Sequence, residues 1–135
     1  MATVGGSAPF AVTQLKSAVG VTSGPTTIST TPVQMPDLTL SITTTGGDLL
    51  VLYWAAVNSS GAFDVFLGPS LDGAAQPAGA IVFGQGTNLN TPSGSWHFTG
   101  VAAGTHTVAI QWNVDGGTGT ANTTRRAMHA LELRR

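Results

Sequence analysis

The stretch DLTLSITTTGGDLLVLYWAAV, from Asp37 to Val57, holds two different strand signals joined by a glycine pair. In its first half Leu38, Leu40 and Ile42 fall on one face and Thr39, Ser41 and Thr43 on the other. That period of two belongs to a strand with one solvated side. Gly46-Gly47-Asp48 then predicts a turn. The second half, Leu49 to Val57, is apolar on both faces. Such a strand is either covered on both sides or lies in a subunit contact.

The same grammar extends outward. Thr, Val, Ile and aromatic residues fill the ordered segments, and Gly or Pro interrupts them at about the eight-to-twelve-residue spacing of an antiparallel sandwich or barrel. Ala62 to Leu67 reads as a strand closed by the turn Pro69-Ser70-Leu71-Asp72-Gly73. Ala80 to Phe83 is a short strand among glycines. Ser95 to Thr99 and Thr105 to Val114 read as partner strands joined by a tight connection from Gly100 to Gly104. In the second of them His106, Val108, Ile110, Trp112 and Val114 share a face. After a loop from Asp115 to Thr124, the last strand, Arg125 to Leu133, is predicted to turn Ala127, His129, Leu131 and Leu133 inward.

Residues 1–24 lack this clean alternation and read as an N-terminal arm or a peripheral strand, with 25–135 as the domain proper. The plainer alternative is a frayed terminus followed by one ordinary sandwich strand.

A chain of 135 residues is one domain's length and hides about two-thirds of its unfolded surface. Charged residues make up 8% of it, against about 25% in an ordinary domain. The net charge is −1 and the five basic residues form no stripe, which argues against nucleic acid and against docking on an anionic membrane. There is no cysteine, hence no disulfide, thiolate metal site or cysteine nucleophile. The longest apolar run, Leu49 to Val57, is about half of what a spanning helix needs. No signal peptide is visible, so the sequence predicts a soluble protein outside the secretory route.

Catalysis needs convergent acids, bases or nucleophiles. Asp37, Asp48, Asp72 and Asp115 sit beside turn residues, where Asp caps its own backbone. Asp64 and Glu132 lie inside strands, but nothing pairs them. His97, His106 and His129 fall on three different predicted strands and would meet at a metal only if those strands were neighbours. No nucleophile elbow or phosphate loop is present. The expectation is therefore a protein that is not an enzyme, with no cofactor and no metal. Among the aromatics, Trp112 belongs with Ile110 in the core, whereas Tyr53 and Trp54 point to opposite faces, so one of them leaves it.

Four stretches together resemble a known family: LTLSITTTGGDLLVLYWAAV, FDVFLGPSLDG, GSWHFTGVAAGTHTVAIQWNVDGGTGTA and RRAMHALEL. Their order is similar to that of the small jelly-roll domains of tailed-bacteriophage virion proteins, which share the architecture of the tumour-necrosis-factor and complement globular-head fold. The Leu71-Asp72-Gly73 turn, the long strand running from Ala103 to Trp112 and the closing Ala130-Leu131-Glu132-Leu133 strand carry the resemblance, over about residues 30 to 135. It implies an all-β, antiparallel jelly-roll sandwich forming a homotrimer on a virion surface, to which the reading of residues 1–24 adds an extended N-terminal arm outside the resemblance. It carries no catalytic residues.

The sequence expectation is thus a capsid decoration protein, bound to the major capsid protein or another virion protein and assembled in the host bacterial cytoplasm. Leu49, Val51, Tyr53, Ala55 and Val57 are expected to form the trimer interface, and removal of residues 1–24 to abolish capsid attachment. The alternative is a fibre or receptor-binding module that contacts a bacterial surface glycan. Trp54, Trp96, Asn88 and Asn90, with Gln85 and Tyr53 near them, would supply the stacking and hydrogen bonds.

Overall fold

The computed structural model describes residues 11–134; the first ten residues of the expected arm lie outside them. Among the described residues seven strands follow one another: β1 (Ala11–Val19), β2 (Thr26–Thr27), β3 (Val33–Ser59), β4 (Asp64–Leu71), β5 (Val82–Gln85), β6 (Ser93–Val114) and β7 (Gly119–Arg134). One short 3-10 turn, Ala78–Ala80, precedes β5. The strands are joined in the order β1-β7-β3-β6-β4-β5, with β2 paired to the start of β7, and every pairing is antiparallel.

Two strands are far longer than the sequence rhythm predicts. β3 has 27 residues and β6 has 22, and they pair along almost their whole length. The first half of β3 and the second half of β6 continue into β4 and β5, giving one layer. The second half of β3 and the first half of β6 continue into β7 and β1, giving the other. The two long strands therefore pass from one layer to the other and curl the sheet around a single core.

The Gly46-Gly47-Asp48 turn and the Gly100–Gly104 connection predicted from sequence are both corrected by this pairing. Neither reverses the chain. Thr45 pairs with Ala103 and Gly47 with Val101 straight through the region, and the register slips between Gly47 and Leu49 as a bulge. Gly46 at φ 92° and Gly100 at φ 63° supply the backbone that lets both strands bend at one level. Ser95 to Thr99 and Thr105 to Val114 are thus two ends of β6, not partners.

The core lies between the layers. Val108, Ile110, Trp112 and Val114 point into it from β6, as the alternation predicts, with Leu38 and Ile42 from β3 and Val65 and Leu67 from β4. His106 closes the inner row near its open end. Leu49, Val51, Tyr53, Ala55 and Val57 complete this core and are at most 2% exposed within one chain. That corrects their assignment to a trimer interface, because side chains sealed inside one subunit offer nothing to another. The last strand is corrected by one residue. Met128 and Ala130 face inward with Arg126 and Glu132, while His129, Leu131 and Leu133 are turned out.

Candidate interaction surface

The register places a second apolar face on the outside of the β1-β7-β3-β6 layer. Residues directly opposite one another share a face. Leu15 therefore lies beside Leu131, Leu131 beside Leu50, and Leu50 beside His97. The next row is Ser17, His129, Leu52 and Ser95, and the one after it Val19, Ala127, Trp54 and Ser93. Val12 and Leu133 extend the face at one end. Leu15 and Val19 are each 56% exposed and Leu52 39%, while Leu50, Trp54 and Leu131 are half-buried against their neighbours.

Four strands at about 4.8 Å spacing and three such rows make a face of about 300 Å². A standard interface covers about 800 Å² on each partner, apolar at its centre and polar at its rim. The leucines supply such a centre. Ser17, Ser93, Ser95 and the His97 imidazole border it, and His129 lies within it between Leu131 and Ala127.

Two buried charged groups hold this layer in place. Glu132, 1% exposed, accepts hydrogen bonds from Thr13 Oγ1 at 2.9 Å and Gln14 Nε2 at 2.7 Å on β1. It also accepts from the Thr45 backbone N–H at 2.6 Å and Thr45 Oγ1 at 2.8 Å at the β3 bulge. Burial pushes its carboxyl up, but these donors outweigh burial and bring it down to about 2. The edge strand β1 is thereby tied to the bend of β3 through one anion.

At the other end of β1, Arg126 is fully buried and donates to the carbonyls of Thr22, Asn122 and Thr123 and to Asp37 Oδ2 at 2.6 Å. Asp37 stands at φ 68° and accepts the N–H groups of Thr22 and Val21, which, with Arg126, hold its carboxyl at about 2.

The histidines do not converge. His97 bonds to Asp48 at 2.9 Å, His106 to Asp72 at 2.7 Å and His129 to Ser17 at 2.8 Å. Among the described residues no three metal-binding side chains gather. His129, predicted inward, lies on the outer face beside Leu52.

The residues expected to touch a glycan are also separated. Trp54 pairs across with Ser93 on the outer face, whereas Trp96 pairs with Val51 on the inner side and packs near Gly79. Asn90 spends its amide on the carbonyls of Gln85 and Asn88, at 2.7 Å each, and Asn88 lies exposed in the same loop. Tyr53 is buried, its hydroxyl donating to the Ala80 carbonyl. The face that sequence reasoning missed was signalled within Leu49 to Val57 all the same: Leu50, Leu52 and Trp54 are the alternate residues of that doubly apolar run.

No family model and no curated protein matches the chain. Among solved structures it is similar to Eiger TNF from S. frugiperda, at 11% identity over 89% of this chain and 92% of that one, with a TM-score of 0.61. It also aligns with TmCBM61 in complex with beta-1,4-galactotriose, at 10% identity over 92% of this chain and 90% of that one. The TM-score there is 0.37, a level at which the two chain paths diverge. Strand order, the curled double layer and the first of these likenesses agree: the chain is an antiparallel jelly-roll β-sandwich of TNF-like architecture.

Proposed function

We propose that this chain is a structural virion protein, a homotrimer that decorates and stabilises the exterior of a bacteriophage capsid, with no catalytic activity of its own. The observation that carries the reading is the outer face of Leu15, Leu50, Leu52 and Leu131, an apolar centre with a serine and histidine rim. Its occupant is a second copy of the chain. The face itself carries almost no charge, so it packs about a three-fold axis against the next copy without burying an unpaired charge, and burial stabilises by about 25 cal/mol for each Å² of apolar surface taken from water.

The mechanism is multivalent clamping. Copies held in one trimer present their N-terminal segments to neighbouring capsid subunits at high effective concentration, so single weak contacts sum to a strong one. β1 belongs to the sheet, so the attachment test removes residues 1–10 and spares Ala11–Val19. Capsids stripped of this protein are mixed with the full chain and with the shortened one and imaged. Ordered copies on the capsid exterior are expected for the full chain and lost for the shortened one. A full chain that leaves such capsids bare contradicts the proposal.

One observation favours the fibre-module alternative. Phe83, 57% exposed, sits 6.1 Å from Phe66 across the β4–β5 pair, with Gln85 two residues on. On this reading a bacterial surface glycan stacks there, not at Trp54 or Trp96. Phe83→Ala abolishes glycan retention if that is so, and leaves capsid binding intact if the first reading holds.

A further inference from the structure

We propose that the bend in the two long strands carries a proton-operated clamp, in which a charged His106 fastens the turn after β4 to Ala102 of β6 beside the bulge. The inference stands on geometry independent of the assembly proposed above.

His106 has an acceptor at each ring nitrogen. Nδ1 lies 2.7 Å from Asp72 Oδ2 and Nε2 lies 2.9 Å from the Ala102 carbonyl oxygen. A neutral imidazole has one N–H and satisfies one of these oxygens; only the imidazolium donates to both. Asp72, at φ 51° in the turn, uses its other oxygen to accept the Thr107 backbone N–H at 2.8 Å. The Ala102 carbonyl also accepts Thr44 Oγ1 from β3 at 2.6 Å. The two N–H groups of the imidazolium and the shared carbonyl therefore join three parts of the chain: the turn after β4, β6 at Ala102 and the bend of β3.

Among the described residues His106 answers to a single charge. On β3 its cross-strand neighbour is Ile42, and Thr44 meets it only through the shared carbonyl. From β4 comes Asp72, and from β6 itself come backbone groups. The imidazole is 14% exposed, so water competes weakly for its N–H groups, although Asp72 is half open to solvent. The Asp72 bond, then the Ala102 carbonyl, raise His106 above its usual 6.5, and Asp72 is lowered chiefly by the same bond. Asp48 holds the bulge itself, accepting His97 Nε2 and the Gly100 N–H at 2.9 Å each, so release at His106 stays local.

Because the folded His106 holds its proton more tightly, the clamp is complete below 6.5 and is lost as pH rises through the raised value. The proton leaves Nε2 for solvent. The Nδ1–H stays on the Asp72 carboxylate, and the Nε2 lone pair is left facing the Ala102 oxygen. Two acceptors at hydrogen-bond distance repel, and the paired stretch of β6 from Ala102 to Gly104 loosens.

The test is a titration of the full chain followed by the imidazole nitrogen shifts, between about pH 5 and about pH 10, with amide exchange corrected for its intrinsic pH dependence. Expected are two N–H groups on His106 at about pH 5, loss of one of them as pH rises through a value above 6.5, and exchange at Ala102 to Gly104 rising about tenfold over the same interval. His106→Gln is expected to remove the pH dependence of that exchange, and Asp72→Asn to bring the titration back toward 6.5. A His106 that carries one N–H at about pH 5, or that loses its second at or below 6.5, or exchange at Ala102 to Gly104 that does not change with pH, overturns the proposal. The unsubstituted chain alone decides this, whether or not the variants fold.

Discussion

Glu132 is shut away from water and stays ionised because four neutral donors from Thr13, Gln14 and Thr45 converge on it. Glu132→Gln keeps the shape but sets an amide NH2 against donors. It is expected to cost about 2 kcal/mol in urea unfolding, the usual penalty for an unsatisfied buried polar group. The carboxyl's lowered value also fixes the sign of an acid response. Its stabilisation is present above the ordinary 4.5 and fades as pH falls toward about 2, with Asp37 acting likewise from 3.8 downward. Unfolding free energy measured over that interval should drop with acidity, and less steeply in Glu132→Gln. The same residue explains why the last strand was legible only in part. Its inner row is Arg126, Met128, Ala130, Glu132, and two charged residues in it made the outer row of Ala127, Leu131 and Leu133 look like the core. The local pattern holds no sign that partners from β1 and β3 satisfy those charges.

At the scale of elements, the glycine pairs were read as chain reversals and are bends. A turn and a bulge both call for glycine at positive φ, so local chemistry does not separate them; the pairing partner does. Long-range pairing of Gly47 with Val101 makes the difference here, across a separation no short window spans. The bend also yields a graded pair of substitutions. A Cβ on Gly100 meets open space, so Gly100→Ala is expected to lose about 1 kcal/mol, the strain of a left-handed backbone alone. A Cβ on Gly47 would stand 2.6 Å from the Leu133 carbonyl oxygen, on backbone that has nowhere to move. Gly47→Ala is expected to lose more than Gly100→Ala in the same urea assay and to loosen the end of β7 from β3, seen as faster amide exchange near Leu133.

For the whole molecule, fold class was legible because period-two patterning and turn spacing are properties of single strands, repeated along the chain. Which face of Leu49 to Val57 is sealed inside was not, since both faces are apolar and the choice depends on which layer lies across the core. The structure seals Val51 and Tyr53 and turns out Leu50 and Leu52. In the proposed trimer subunit contact falls to the second set, and a charge at Tyr53 is expected to unfold the chain instead of separating subunits. Leu52→Glu is expected to separate them with the far-ultraviolet circular dichroism unchanged, whereas Val51→Glu buries an unpaired charge and abolishes folding.

The most direct test is the solution mass by light scattering, for the unsubstituted chain beside Leu52→Glu, near neutral pH and moderate salt. A mass of three chains that falls to one in Leu52→Glu is the expected result; an unsubstituted chain that is monomeric across accessible concentrations contradicts the account.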